Sequence, residues 1–207
     1  MSKSRLEAFS DGVLAIAITL LVLDIKVPLP HEGTTLAHQL ADQWPRYAAY
    51  VISFLTIGVI WINHHAMLRR LRAVDHAILG LNLLVLLAVG LLPWSTALMA
   101  EYLREPRGQH LAAAVYAGSF LLMAVAFNAL HRQVLSTKAH LLRDGLTEAD
   151  RRRLLVRGRA GLVPYAVATA AAPISSYLTL GLCAVIAAFY ALPGTTSDPV
   201  DDLAAVR

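Results

Sequence analysis

Apolar runs about as long as a bilayer is thick recur along this chain, separated by short arginine-bearing segments, and this rhythm leaves few folds open. A hydrocarbon core of about 30 Å needs roughly 20 helical residues at about 1.5 Å each. On that measure, candidate spans fall at 5–26, 46–68, 75–100, 109–132, 152–172 and 174–192. The first four are continuous. The last two share the apolar stretch from Ala160 to Pro193, which Pro173 and its neighbours interrupt, so each is short; a single tilted span or a re-entrant hairpin is the competing reading. The fifth begins among Arg151, Arg157 and Arg159, whose long stems can carry their charge to the interface. Composition closes the water-soluble alternative. With 57% hydrophobic and 15% charged residues and a mean hydropathy of +0.57, a 207-residue domain has too little polar surface to face water. The fold class read from the chain is an all-α integral membrane protein with six helices.

The formal charge of +4 and a pI near 9.5 would suit nucleic acid if the basic residues shared one helical face. They cluster between the apolar runs instead, so no nucleic-acid partner is expected. Six spans place Lys3, Arg5, Arg69, Arg70, Arg72, the connection from Arg132 to Arg159 and Arg207 on one side. Only Lys26, Arg46, Arg104 and Arg107 fall on the other. The excess marks the cytoplasmic side, so both termini are expected there. Lys3 and Arg5 before an apolar core resemble a signal peptide, but Asp11 interrupts it and no small-x-small cleavage site follows, so the first span is expected to be retained. The long connection has a turn at Asp144-Gly145, then Thr147 as an N-cap with Asp150 at the third helical position. The chain divides into a transmembrane domain, 1–192, and a polar tail, 193–207, expected to be disordered and cytoplasmic. The single cysteine, Cys183, lies in an apolar run and reads as packing. Pro93, Pro164 and Pro173 mark kinks or helix ends.

The first span carries two signals. On a wheel of about 100° per residue with Asp11 at zero, Ile16 falls near 140°, Leu20 near 180° and Leu23 near 120°. These three make one aliphatic stripe, and Asp11 points away from it. Such a stripe is ordinarily a lipid-facing or packing surface. Gly12, Ala15 and Ala17 around it suggest close helix contact. Asp11 sits about 9 Å inside the boundary set by Arg5 at about 1.5 Å per residue, where a carboxylate needs a partner. Glu7, one turn earlier, repels it. At the same depth the second span carries Trp61-Ile62-Asn63-His64-His65 and the third reaches Asn82, so Asp11, His64 or His65, and Asn82 are expected in one layer, with Ser10 available to join. A metal site is disfavoured because adjacent histidines diverge by about 100°. A proton relay is chemically open. The reading preferred is a hydrogen-bonded network that fixes the first helix. His131 reads as interfacial. No catalytic residue, metal or cofactor is expected.

Arg5 with Phe9-Ser10-Asp11, the continuation Gly12 to Ile25, the Trp61–His65 run and the stretch from Asp75 to Met99 together resemble the bacterial branch of the transmembrane protein 175 family, potassium-permeable channels known in animals from endosomes and lysosomes. The resemblance covers the first three spans in order, about half the chain. It implies six helices per subunit and a homotetramer around the first helix, because animal members hold two such repeats and dimerise. It implies a pore constriction at Ile16, Leu20 and Leu23, with Ile16 nearest the cytoplasm, and a threonine that favours potassium at Thr19. Arg5, Phe9, Ser10, Asp11, His64, His65 and Asn82 would form the packing or gating network. The implied partners are potassium or other monovalent cations, the lipid bilayer and other copies of the chain. The implied location is the cell membrane, as a multi-pass protein of the bacterial inner membrane. No Thr-Val-Gly-Tyr-Gly filter exists in the sequence. A secondary transporter using the Asp/His/Asn layer is the main alternative, although neither paired repeats nor a charge at the middle of the first span is visible. A membrane enzyme has too few polar groups to define a reaction.

Overall fold

The structure, a computed structural model, describes residues 2–30, 33–142 and 146–192. The expected turn at Asp144-Gly145 and the tail from Pro193 onward lie outside these residues. Helix α1, Lys3–Leu20, ends in a 3₁₀ turn, Leu21–Asp24. A seven-residue helix, α2, Leu36–Asp42, follows. It carries no run of apolar residues long enough to announce it, and is started by Thr35, whose side chain accepts from His38 N at 3.3 Å. Helix α3, Trp44–Arg69, has Pro45 in its first turn, where a missing N–H costs nothing.

The expected third span, 75–100, is divided. Helix α4, His76–Gly90, gives way at Leu91 to α5, Leu92–Tyr102. Pro93 supplies the reason, since it donates no hydrogen bond to the preceding turn and its ring crowds that carbonyl. Helix α6, Gln109–Arg132, continues through a wider π turn, Gln133–Thr137, past the expected end at 132. The expected fifth span, 152–172, starts earlier, as α7, Glu148–Ala160, and runs on as α8, Leu162–Ala171. Thr147 caps it: its Oγ1 accepts from Asp150 N, and Asp150 answers by accepting from Thr147 N. Helix α9, Ser176–Ala191, closes the bundle.

Among the described residues, four stretches are long and apolar enough to cross a bilayer: Lys3–Asp24, Trp44–Arg69, His76–Tyr102 and Gln109–Thr137. Helix α9 is apolar but shorter. Helices α1 and α3 run antiparallel. Lys3 Nζ donates to Arg69 O at one end of the α1–α3 pair (3.4 Å), and Arg46 bonds Asp24 at the other. Helix α6 is the central column, with Tyr116 and Phe120 fully buried and their rings edge to face at 4.7 Å. The Ser53 hydroxyl on α3 lies 2.7 Å from that of Thr96 on α5 and 3.1 Å from that of Tyr116 on α6, knotting three helices inside the core. Buried hydroxyls need such partners. Cys183 packs in the same core. Helix α1 sits at the edge of the bundle against α3 and α4.

Candidate functional site

Helix α1 presents two unlike surfaces. Leu6, Ser10, Leu14, Ala17 and Leu21 are buried in the bundle. On the far side Ile16 is 60%, Leu20 45% and Leu23 73% exposed, and Phe9 lies exposed in line with them. Thr19, at the edge of this stripe, is exposed, and its Oγ1 donates to Ile16 O at 2.9 Å. A hydroxyl whose proton is engaged by its own helix keeps its lone pairs for whatever lies outside.

The polar layer resolves into two parts. Inside the bundle, Asn82 Nδ2 donates to Ser10 Oγ (3.0 Å), and Asn82 Oδ1 accepts from His64 Nε2 (2.7 Å). All three side chains are at most 1% exposed. This chain of bonds ties α1, α4 and α3 together. Near the bundle surface Asp11 Oδ1 accepts from Trp61 Nε1 (2.9 Å), and its Oδ2 lies 3.9 Å from His65 Nδ1. Trp61 and His65, one turn apart on α3, share a face, with ring centroids 6.2 Å apart.

Asp11 therefore does not join His64 and Asn82. Ser10 takes that place, and the two histidines serve different partners, as their divergence on a helix requires. Arg5 and Phe9 stand apart from the network. Both are exposed and fall near 120° and 160° on the wheel, the stripe's side, turned from α3 and α4. Glu7 pairs with Lys3 at 3.2 Å. Trp61 as the main partner of Asp11 escaped the sequence reading, although an indole N–H is a natural donor for a carboxylate at a membrane boundary.

A second anchor, also unforeseen, holds the other end of α1. Arg46 Nη1 donates to Asp24 Oδ1 (2.9 Å) and to Asp24 O (3.1 Å), while its Nη2 bonds Glu101 on α5. Lys26 adds a looser pair with Glu101 at 3.7 Å. The signal lay in the placement of Asp24, Arg46 and Glu101 at three adjoining span ends. Among the described residues no cluster of three His, Cys, Asp or Glu side chains could hold a metal ion.

The geometry has counterparts. A protein of Streptomyces collinus named as a potassium channel is 47% identical over 186 residues, 90% of either chain. A family model described as "Endosomal/lysosomal potassium channel TMEM175" matches residues 5–93, which takes in nearly all of α1, then α2, α3, α4 and the start of α5. The chain belongs to the TMEM175 family. The TMEM175 match thus includes every helix of the Ser10–Asn82–His64 chain. The human protein named endosomal/lysosomal proton channel TMEM175 is 33% identical over 80% of this chain and 34% of its own length. The crystal structure of a lysosomal potassium-selective channel TMEM175 homolog from Chamaesiphon minutus matches with a TM-score of 0.81 at 41% identity, covering 91% of this chain and 96% of that one. These TMEM175 relatives are named as channels, not enzymes.

Proposed function

We propose that this chain is a potassium-permeable channel in which four copies surround an axis lined by α1. The observation that carries the reading is the uncovered aliphatic stripe of Ile16, Leu20 and Leu23, set opposite a face that is bolted to the bundle at both ends. Helix α1 is the least covered of the four long apolar stretches, with 28% of its most apolar window buried against 39–50% for the others. A helix held so firmly on one side and bare on the other is suited to meet its own copies. The names of the relatives in Streptomyces collinus and Chamaesiphon minutus support the ion.

In this reading α7–α8 and α9 complete six spans and both termini face the cytoplasm of a bacterial cell membrane, in keeping with the basic excess at that end. Four isoleucines or leucines at one level make a narrow apolar ring. Water leaves such a ring when it is tight, and a cation cannot cross without part of its hydration shell, so the ring blocks conduction until it widens. The Thr19 oxygen, with outward lone pairs, offers the partly stripped ion an acceptor beside the Leu20 level. Selectivity then follows ring width and the oxygens that Thr19 contributes.

Purified protein in planar bilayers tests this. Potassium current following the potassium gradient, with Ile16→Asn raising current or lowering the potassium preference, is the expected result. Unchanged conductance and selectivity in that variant would remove Ile16 from the pore. A proton-coupled carrier is the reading that Asp11 beside His65 would favour; proton movement locked to potassium movement in liposomes would establish it.

A further inference from the structure

Helix α7 enters the bundle along its central column. His110 Nδ1 on α6 lies 2.8 Å from Ala172 O, a Cβ at Gly118 would stand 4.0 Å from Thr169 Cγ2, and a Cβ at Gly158 would stand 2.9 Å from Asn128 Oδ1. Residue numbers fall on one side as they rise on the other, so α7 and α8 run antiparallel to α6, and Gly158 lies near the last turn of α6. Arg153 and Arg152 precede Gly158 by five and six residues, which sets them about 8–9 Å farther out at about 1.5 Å per residue. They therefore stand at the outer edge of the bundle, while Arg157 and Arg159, on either side of Gly158, stand where the apolar column ends.

The close approach at Gly158 also fixes which face of α7 looks outward. On a wheel of about 100° per residue with Gly158 at zero, Arg151, Leu154 and Leu155 fall within about 60° of it, and all three are partly covered. The opposite half carries Arg159 near 100°, Arg152 near 120°, Val156 near 160°, Ala160 near 200°, Arg153 near 220° and Arg157 near 260°. All six are exposed, Val156 to 60%. Arg152, Arg153, Val156, Arg157 and Ala160 line one shallow, open depression. The outward face is thus a narrow apolar strip with two arginines on each flank. The two carboxylates of α7, Glu148 and Asp150, both sit in its first turn, and Asp150 Oδ2 accepts from the Thr147 hydroxyl (2.5 Å). Among the described residues no carboxylate is in ion-pair contact with the four outward arginines.

We propose that the outward face of α7 docks on anionic phospholipid headgroups of the leaflet at that end of the bundle, its Val156–Ala160 strip against the upper acyl region and its two arginine flanks on the lipid phosphates. Long arginine stems lie along apolar surface while the guanidinium reaches the polar layer, so cations flanking an apolar strip suit a helix at the headgroup boundary. The guanidinium fork matches phosphate oxygens in pairs. A charge level with the end of an apolar column needs a counter-charge, and where the protein offers no carboxylate the lipid phosphate supplies it. Basic clusters next to a span attract anionic lipids for the same reason. Because Gly158 turns the other side of α7 to α6, the arginine face looks away from the central column and toward what surrounds the chain. The inference needs the bundle to lie in a membrane. It does not depend on which ion, if any, the protein conducts.

The test places full-length protein in nanodiscs of phosphatidylcholine alone, or of phosphatidylcholine and phosphatidylglycerol in equal parts, and follows hydrogen exchange of the α7 amides, a readout confined to this helix. An arginine near an anionic surface contributes about fivefold, so four of them should slow exchange by about 10-fold or more when phosphatidylglycerol is present. Arg152→Gln, Arg153→Gln, Arg157→Gln and Arg159→Gln in one chain should abolish the slowing. Val156→Asp, which keeps all four arginines but places a carboxylate in the strip, should do the same. Soluble glycerol phosphate added to the phosphatidylcholine discs should leave exchange unchanged, which separates a lipid from a free phosphate. Melting in phosphatidylcholine reports whether the variants fold; if the fourfold variant does not, Arg152→Gln with Arg153→Gln, at the outer edge of the bundle, decides the matter. Equal exchange in the two discs, undiminished slowing in a folded variant, or equal slowing by soluble glycerol phosphate would overturn the proposal. So would slow exchange in phosphatidylcholine that is lost only when copies are separated, which would assign the face to a neighbouring chain.

Discussion

At the scale of single residues, the division of α1 into a stripe and an anchored face was legible in the sequence, because 3.6-residue periodicity alone puts Ile16, Leu20 and Leu23 together. Which histidine meets Asp11 was not. That depends on how α3 is rotated against α1, and the packing of α4 through Asn82 settles it. The Ser10–Asn82–His64 chain is buried, so its members cannot turn to water. Asn82→Ala leaves both the Ser10 hydroxyl and the His64 ring short of a partner, and should cost about 1–3 kcal/mol in a reversible denaturation measurement in detergent. Asp11→Asn keeps an acceptor for Trp61 and should cost less. At Thr19 the expectation concerns selectivity. Thr19→Val removes the outward oxygen and should shift the reversal potential under potassium–sodium bi-ionic conditions toward zero, whereas Thr19→Ser keeps the oxygen and the potential.

At the scale of elements, helix ends obey local chemistry that the sequence displays. Thr147 and Asp150 form the capping box their spacing announced. Asp75 accepts from Ile78 N (2.9 Å) to start α4 and pairs with Lys138 (2.9 Å) just beyond α6. The backbone N–H of Ile78 first, and Lys138 second, hold the Asp75 carboxyl below the usual carboxylate range. A depressed carboxyl contributes stability that is present above its unfolded value, near 3.9, and disappears as the pH falls through the folded value. Wild-type stability should therefore decline on acidification in that range, and Asp75→Asn, which retains an acceptor but no titrating charge, should show a smaller decline in pH-resolved melting curves. The clasp at the other end of α1 required tertiary structure to be seen, because nothing local ties Asp24 to residues 46 and 101. Arg46→Gln frees two carboxylates at once, and hydrogen exchange of the amides from Leu21 to Asp24 should quicken as that 3₁₀ turn frays.

At the scale of the whole molecule, hydropathy sufficed for a helical membrane bundle, since length and apolarity are properties of segments. It did not disclose the break at Leu91 or the early start of α7, which Pro93 and the Thr147–Asp150 box mark locally, nor the bonds of Arg46 to Asp24 and Glu101, which depend on how distant segments meet. Assembly is the decisive matter at this scale. Native mass spectrometry of the purified protein should give four chains. In membranes, Ile16→Cys should form oxidant-dependent cross-links between copies, because the proposed shared axis would bring that position within disulfide reach; Leu111→Cys, on the exposed face of α6, should not.

The bond between Ser10 and Asn82 joins residues 72 apart in the chain, and so gives synthesis an order of events. At about 5–20 residues per second, α1 waits roughly 4–14 s after Ser10 is made before Asn82 exists to receive it. During that interval its serine has lipid or the insertion machinery for company, and Asp24 has only Arg46. Helix α1 is thus held at its far end first and at its near end afterwards.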